Sequence, residues 1–295
     1  MRRHGLNIPR QGKSDREERS NGLVDSQSLN FQPVATERAS HGIIATLKRV
    51  VRRFIVPIVD PRGLLSAVFL PKFILELRRY RGLAPNESVA WIDVFPCLSD
   101  RLPQTPFDPH YFYQGAWLAR RLHERSTSWH VDVGSSVMMI NVLSAAAKTV
   151  FVDYRPLRVC VENLFPVAGN LTQLPFLDAS VPSLSCLHVI EHVGLGRYGD
   201  QLDPRGSRKG ASELQRVLKP GGRLYISLPV GRQRVCFNAH RIFSATTIPS
   251  FVPGLRLESF SLVDDAGRFI EQATLEMADG LDYGCGMFEF VNERE

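Results

Sequence analysis

Val131-Asp132-Val133-Gly134-Ser135-Ser136 is the stretch whose reading decides the fold. His130–Val133 reads as a strand, and Val137–Ala147 carries the spacing of a helix. Gly134 sits where one becomes the other. A glycine there lets the backbone approach a ligand closely, and the free amides of the helix start favour anionic groups. The alternation repeats downstream. Thr149–Asp153 reads as a strand, Arg155–Asn163 as a short helix, Leu184–Ile190 as a strand and Ala211–Leu218 as a helix. Lys219-Pro220-Gly221-Gly222 stops that helix, and Arg223–Leu228 is the next strand. Strands alternating with helices predict a parallel sheet. After Ser244 the pattern becomes two-stranded: Leu257–Val263, a turn at Asp264-Asp265-Ala266-Gly267, and a last strand near Met287–Val291.

Upstream, Asp108-Pro109 opens a helix with an acid at the cap and proline in the first turn. Its expected inner face is Phe112, Ala116, Ala119 and Leu122. Residues 82–107 read as proline-punctuated loop. Residues 1–40 are rich in Arg, Ser, Asn, Gln and Gly without apolar period, and are expected to be disordered. Between them, residues 41–81 read as a basic amphipathic helical arm. Ile43, Leu47, Val50, Phe54 and Ile58 recur at helical spacing beside Lys48, Arg49, Arg52 and Arg53, and prolines at 57, 61 and 71 divide the arm. The domain proper is placed at 82–295.

The 295 residues carry 36 Lys/Arg against 30 Asp/Glu. Residues 1–81 hold 16 of the bases and only 7 of the acids, so the body is mildly acidic. That argues against nucleic acid as a partner of the body, and for an anionic partner of the arm. Two readings of the arm stand: peripheral contact with an anionic membrane through residues 43–81, or packing on the domain. Five scattered cysteines without C-x-x-C spacing argue against a disulfide framework or zinc knuckle, and for reduced thiols in the cytoplasm. No apolar run reaches the length of a membrane span, and residues 1–30 lack the apolar stretch of a secretory signal.

Asp153 closes the strand nineteen residues after Gly134, where an acid can accept hydrogen bonds from both ribose hydroxyls of a nucleoside. Gly169-Asn170-Leu171-Thr172-Gln173-Leu174-Pro175-Phe176 precedes a strand ending His188-Val189-Ile190-Glu191-His192. With Asp132-Val133-Gly134, Glu191-His192-Val193 and Leu218-Lys219-Pro220-Gly221-Gly222, the chain resembles class I S-adenosylmethionine (SAM)-dependent methyltransferases over residues ~126–235. Gly194–Asp200, Phe237-Asn238-Ala239-His240-Arg241 and His110-Tyr111-Phe112-Tyr113 resemble, more narrowly, a methyltransferase-like domain of unknown function first catalogued from nematode sequences.

The resemblance implies an α/β, three-layer, Rossmann-like class I methyltransferase sandwich. Its sheet would be mostly parallel and seven-stranded, with a C-terminal antiparallel hairpin. It implies SAM as cofactor, held by Asp132, Gly134, Ser136, Asp153, Asn170 and Leu171. It also implies methyl transfer to a small or glycan-like acceptor, with His188, Glu191 or His240 taking the acceptor's proton. In the family's pattern, glycines stand at the positions of Ser136 and Met138, and an acid stands at Asn170. Bulk at the turn would obstruct the methionine part of the cofactor. The competing expectation is therefore an inactive member serving as a membrane-associated binding or scaffold partner. His188-x-x-Glu191-His192 also matches an inverted zinc-protease pattern. That chemistry needs both histidines on one face of a sustained helix, which Gly194 and Gly196 interrupt, so no metal is assigned. Gly194–Asp203 reads as a loop covering a ligand, with Arg197 and Tyr198 as its contacts, or as a structural loop capped by its own acids.

Overall fold

A computed structural model describes residues 66–293, apart from 85 and 156. The expectations for residues 1–40 and for the arm from Ile43 to Ile58 lie outside these residues. The chain divides into two compact units, Met1–Pro103 and Gln104–Glu295.

In the first unit, a 3-10 turn at Ala67–Phe69 leads into helix α1, Leu70–Leu83, which Pro71 opens from its first turn. The loop that follows folds back on the helix. Arg81 donates to the Val89 carbonyl at 2.8 Å and lies 4.4 Å from the centre of the Trp91 ring. Val68, Phe69, Leu75 and Leu83 remain exposed.

The second unit opens with helix α2, Pro109–Glu124, capped by Asp108, whose carboxylate accepts from the amides of His110 and Tyr111. Its strands are β1 (Trp129–Val133), β2 (Lys148–Asp153), β3 (Leu164–Ala168), β4 (Val181–Leu187), β5 (Leu218–Val230), β6 (Arg234–Cys236), β7 (His240–Ile242), β8 (Arg256–Val263), β9 (Phe269–Ile270) and β10 (Gly284–Val291). Helices α3 (Val137–Leu143) and α4 (Gly206–Val217) cross between them. The main sheet has the order β3-β2-β1-β4-β5-β10-β8-β9, and β6 and β7 form a separate hairpin. Neighbours from β3 to β5 are parallel, while β10 runs antiparallel to both β5 and β8. This is the expected class I sandwich, with the two-residue β9 added beyond the seven strands.

Apolar side chains fill both faces of the sheet. Ala211, Leu214 and Val217 of α4 and Ile248 and Phe251 pack on one. Trp117, Leu118 and Leu122 of α2 and Ile140 and Leu143 of α3 pack on the other. The inner face of α2 differs from expectation. It is His110, Gln114, Trp117, Leu118 and Leu122, whereas Phe112 is 58% exposed. The hundred-degree step per residue places 114, 118 and 122 in one row, so the polar Gln114 belongs to the buried stripe. Its carboxamide oxygen accepts from the Ser227 hydroxyl.

Arg155–Asn163 does not form a helix. The chain there is extended loop and turn, and β3 follows it. Pro166 makes β3 read poorly as a strand. The main-chain bonds Thr149 N to Asn163 O and Gly169 N to Asp153 O fix the alternation, so odd residues of β3 face β2. Pro166 faces outward, where a missing N–H breaks no ladder bond. Lys219–Gly222 ends α4 as expected but is itself the irregular start of β5.

Candidate active site

The turn after β1 is built from beneath. Asp132 is fully buried and accepts from Ser135 N at 3.1 Å, Ser135 Oγ at 2.7 Å and the Ser185 hydroxyl. Ser135 Oγ in turn accepts from Leu187 N at 3.0 Å. These bonds tie β1 to β4 at their carboxyl ends. Burial, opposed by the hydroxyl and amide donors, pushes Asp132 up to about 6. Gly134 then takes φ +71°, and a Cβ on it would sit 3.1 Å from Val189 Cγ1. The positive φ favours glycine there, and the approach to Val189 leaves little room for a side chain.

Above this turn lies a solvent-open pocket with a cavity volume of about 120 Å³. Gly134, Asp153, Asn170 and Leu171 line it, with Tyr154, His188, Val189 and Tyr198. Four of the six expected cofactor residues thus meet in one place. Asp132 and Ser136 do not. Asp132 braces the turn from below, and Ser136 stands at the N-cap position of α3 outside the lining. Met138 is 75% exposed, and neither it nor Ser136 is among the residues that line the pocket. Asp153 Oδ1 accepts from Arg155 N at 2.7 Å, which turns its carboxylate over the end of β2. Asn170 also closes its own turn. Its Oδ1 already accepts from Thr172 N and Thr172 Oγ1, both at 2.9 Å. A carbonyl oxygen has two lone pairs, so the side chain offers a ligand its NH₂ donors.

A wider, polar chamber adjoins the pocket, and His188, His192 and Tyr198 line both. His110, Tyr111, Glu191, Arg197, His240 and Tyr283 complete much of its wall. His188 has φ +55°, an uncommon conformation for a residue with a side chain. Its ring stacks near Tyr111 at 5.4 Å and His110 at 5.5 Å. Nδ1 lies 2.9 Å from Glu191 Oε1, and Nε2 lies 3.3 Å from Cys285 Sγ. Burial opposes charge on this imidazole, but Cys285 and Glu191 outweigh it and raise His188 well above its ordinary value. Both ring nitrogens are engaged, so His188 has no nitrogen turned to a substrate. Glu191 is buried beneath it. His240 is different. It is half-buried, beside Tyr283 with ring centres 5.2 Å apart, and burial and the neighbouring His192 lower its pKa. It is the histidine of the expected set with a base's protonation state at neutral pH.

His188 and His192 do not share a helix face. Ile190–His192 is a single 3-10 turn, and His192 Nδ1 donates to the Ala239 carbonyl at 2.6 Å. In the loop 194–203, the acids are used internally. Asp200 accepts from Gly194 N at 2.6 Å, and Asp203 pairs with Lys209 at 2.7 Å. Arg197 and Tyr198 line the chamber. Asn238 sits at the tip of the β6–β7 hairpin with φ +62°, away from both cavities. His110, Tyr283 and Cys285 were not expected at the site. His110 lay in a quoted motif; for Cys285 only the fold supplies the signal.

Residues 179–279 match the family model described as "Caenorhabditis protein of unknown function, DUF268", and residues 120–226 match that described as "Methyltransferase domain". The resemblance read from the sequence is thus the one the family models show. No curated protein matches the chain. Among solved structures it is similar to the N-methyltransferase NodS of Bradyrhizobium japonicum in complex with S-adenosyl-L-homocysteine. Identity is 15%, coverage 66% of this chain and 91% of that one, and the TM-score 0.47. It is also similar to YcgJ of Bacillus subtilis, at 14% identity, with 62% of this chain and 100% of that one covered and a TM-score of 0.44.

Proposed function

We propose, from the methyltransferase-domain similarity of residues 120–226 and the pocket above Gly134, that the chain is a SAM-dependent methyltransferase. The observation that carries the reading is the convergence of Gly134, Asp153 and the Asn170–Leu171 turn on one pocket opening into a second chamber. Asp153 would accept from the ribose hydroxyls, and Asn170 would donate to the adenine ring. The bound cofactor supplies an electrophilic methyl group. What the protein adds is alignment of the acceptor, exclusion of water and a place for the proton. His240 is the base in this reading. His188, held by Glu191 and Cys285, is a positioning residue at the junction of the two cavities.

Tyr111, Tyr198 and Tyr283 with Arg197 give the chamber rings and a hydrogen-bonding cation, which suits a small hydroxyl-bearing or glycan-like acceptor. Titration calorimetry of the full chain with SAM and with S-adenosylhomocysteine tests the reading. Saturable binding of both is expected, and absence of both in folded protein overturns it.

A second proposal concerns the arm. The exposed Val68, Phe69, Leu75 and Leu83, beside Lys72, Arg78 and Arg79, support peripheral contact with an anionic bilayer. Among the described residues no helix is long and apolar enough to cross a membrane.

A further inference from the structure

We propose that His110, His188 and Cys285 form a binding site for a soft divalent metal ion of the zinc class at the floor of the wider chamber. The three come from distant segments: the first turn of α2, the turn after β4 and the start of β10. Their donor atoms all lie within 4.8 Å of one another. His188 Nε2 and Cys285 Sγ are 3.3 Å apart, against roughly 3.5 Å between neighbouring donors of a tetrahedral zinc site with Zn–N of ~2.0 Å and Zn–S of ~2.3 Å. Two imidazoles and a thiolate are a donor set that selects zinc over magnesium or calcium.

The surroundings fit. Glu191 Oε1 receives the other ring nitrogen of His188 at 2.9 Å, the carboxylate–histidine support that fixes the tautomer of a metal-binding imidazole. Glu191 Oε2 is buried with no hydrogen-bond partner among the described residues. Cys285 is fully buried and does not line the chamber, so an incoming substrate cannot reach its sulfur. An ion between it and the two histidines can. His110 and His188 both line the chamber, so the ion's fourth position would open into it, as in catalytic rather than closed zinc sites. A thiol or hydroxyl of an acceptor bound there would give up its proton more readily. That last consequence rests on the methyltransferase reading; the metal site does not.

The test uses the full chain, stripped of metal and dialysed without SAM against zinc and, separately, cobalt(II). One equivalent of zinc per chain is expected, and the cobalt form should show a thiolate-to-metal charge-transfer band. Cys285→Ser should abolish the band, and Glu191→Gln should weaken zinc binding about 10–100-fold. Replacement of the exposed Cys97 and Cys160 by Ser should change neither. No uptake, a cobalt spectrum without the band, or a spectrum unmoved by Cys285→Ser overturns the proposal. If that variant does not fold, His110→Asn decides, and unchanged affinity there overturns it. SAM titration of the same samples separates this failure from failure of the methyltransferase reading.

Discussion

Arg241 holds the carbonyl of Val193 at 2.6 Å, tying the hairpin after β5 to the loop that borders both cavities. The same guanidinium donates to Ser207 Oγ at 3.0 Å and to the Asp203 carbonyl at 3.3 Å. Buried at one end of the loop, it spans both of its stems. Arg241→Ala leaves these acceptors unpaired and is expected to cost about 3 kcal/mol of stability, in the range for a buried charged hydrogen bond. Amide exchange across residues 194–203 should accelerate. Unchanged protection there would show that the loop is held by its own acids alone.

Asp153→Ala is expected to weaken SAM binding by about 10–100-fold, since a hydrogen bond to a charged group contributes ~1.5–3 kcal/mol. Calorimetry measures it. Equal affinity in folded variant and parent would place the ribose elsewhere.

His240→Asn should lower turnover by about 10²-fold or more while leaving SAM affinity within a factor of two or so. The parent's rate should fall on acidification only below the ordinary histidine range, because burial lowers this pKa. A matched loss of rate and cofactor affinity would make His240 a binding residue instead.

His130 and Asp132 pull stability in opposite directions with pH. His130 is buried between Ser183 and Ser185, each 2.8 Å from a ring nitrogen, and burial lowers it from 6.5 to about 3. Its neutral form supports the fold above 6.5, and that support drains away as pH falls toward 3. Asp132 is raised from 3.8 to about 6, so its contribution is complete below 3.8 and lost as pH rises through 6. Between pH 4 and 6 the two slopes oppose each other. Relative to the parent, His130→Gln should gain about 1.4 kcal/mol per unit as pH falls through this window, and Asp132→Asn should lose about as much. Urea unfolding at pH 4, 5 and 6 checks both slopes. Parallel curves for all three proteins would refute the assignment.

For the arm, full-length chain should float with anionic vesicles, partly resisting salt because the apolar contribution is not screened. A shortened chain beginning at Gly82 should remain below. Flotation of neither would sink the membrane proposal.

The parallel core was legible because its signals are local: a glycine at the β1 turn, an acid ending β2, and a strand–helix rhythm of short period. Residues 155–168 were not, since β3 is stabilised by β2 on one side and carries Pro166, which no local preference assigns to a strand. The site divides the same way. Asp153 and Asn170 follow strand ends and could be placed by spacing. Asp132 could not, because whether an acid faces the ligand or the sheet depends on Ser185, fifty-three residues away. Cys285 meets His188 across ninety-seven residues, and only the order of β4, β5 and β10 brings them together.

The outward-facing Pro166 also governs how this molecule meets copies of itself. A sheet ends in a row of unsatisfied amides that can template another chain. On one flank, Pro166 removes a donor from the middle of that row. On the other flank β9 pairs only with Leu262 and Val263, so the earlier residues of β8 share that rim. Sheet-to-sheet annealing is therefore discouraged at the β3 rim. Two copies meeting rim to rim along β3 would find that gap in the ladder at Pro166.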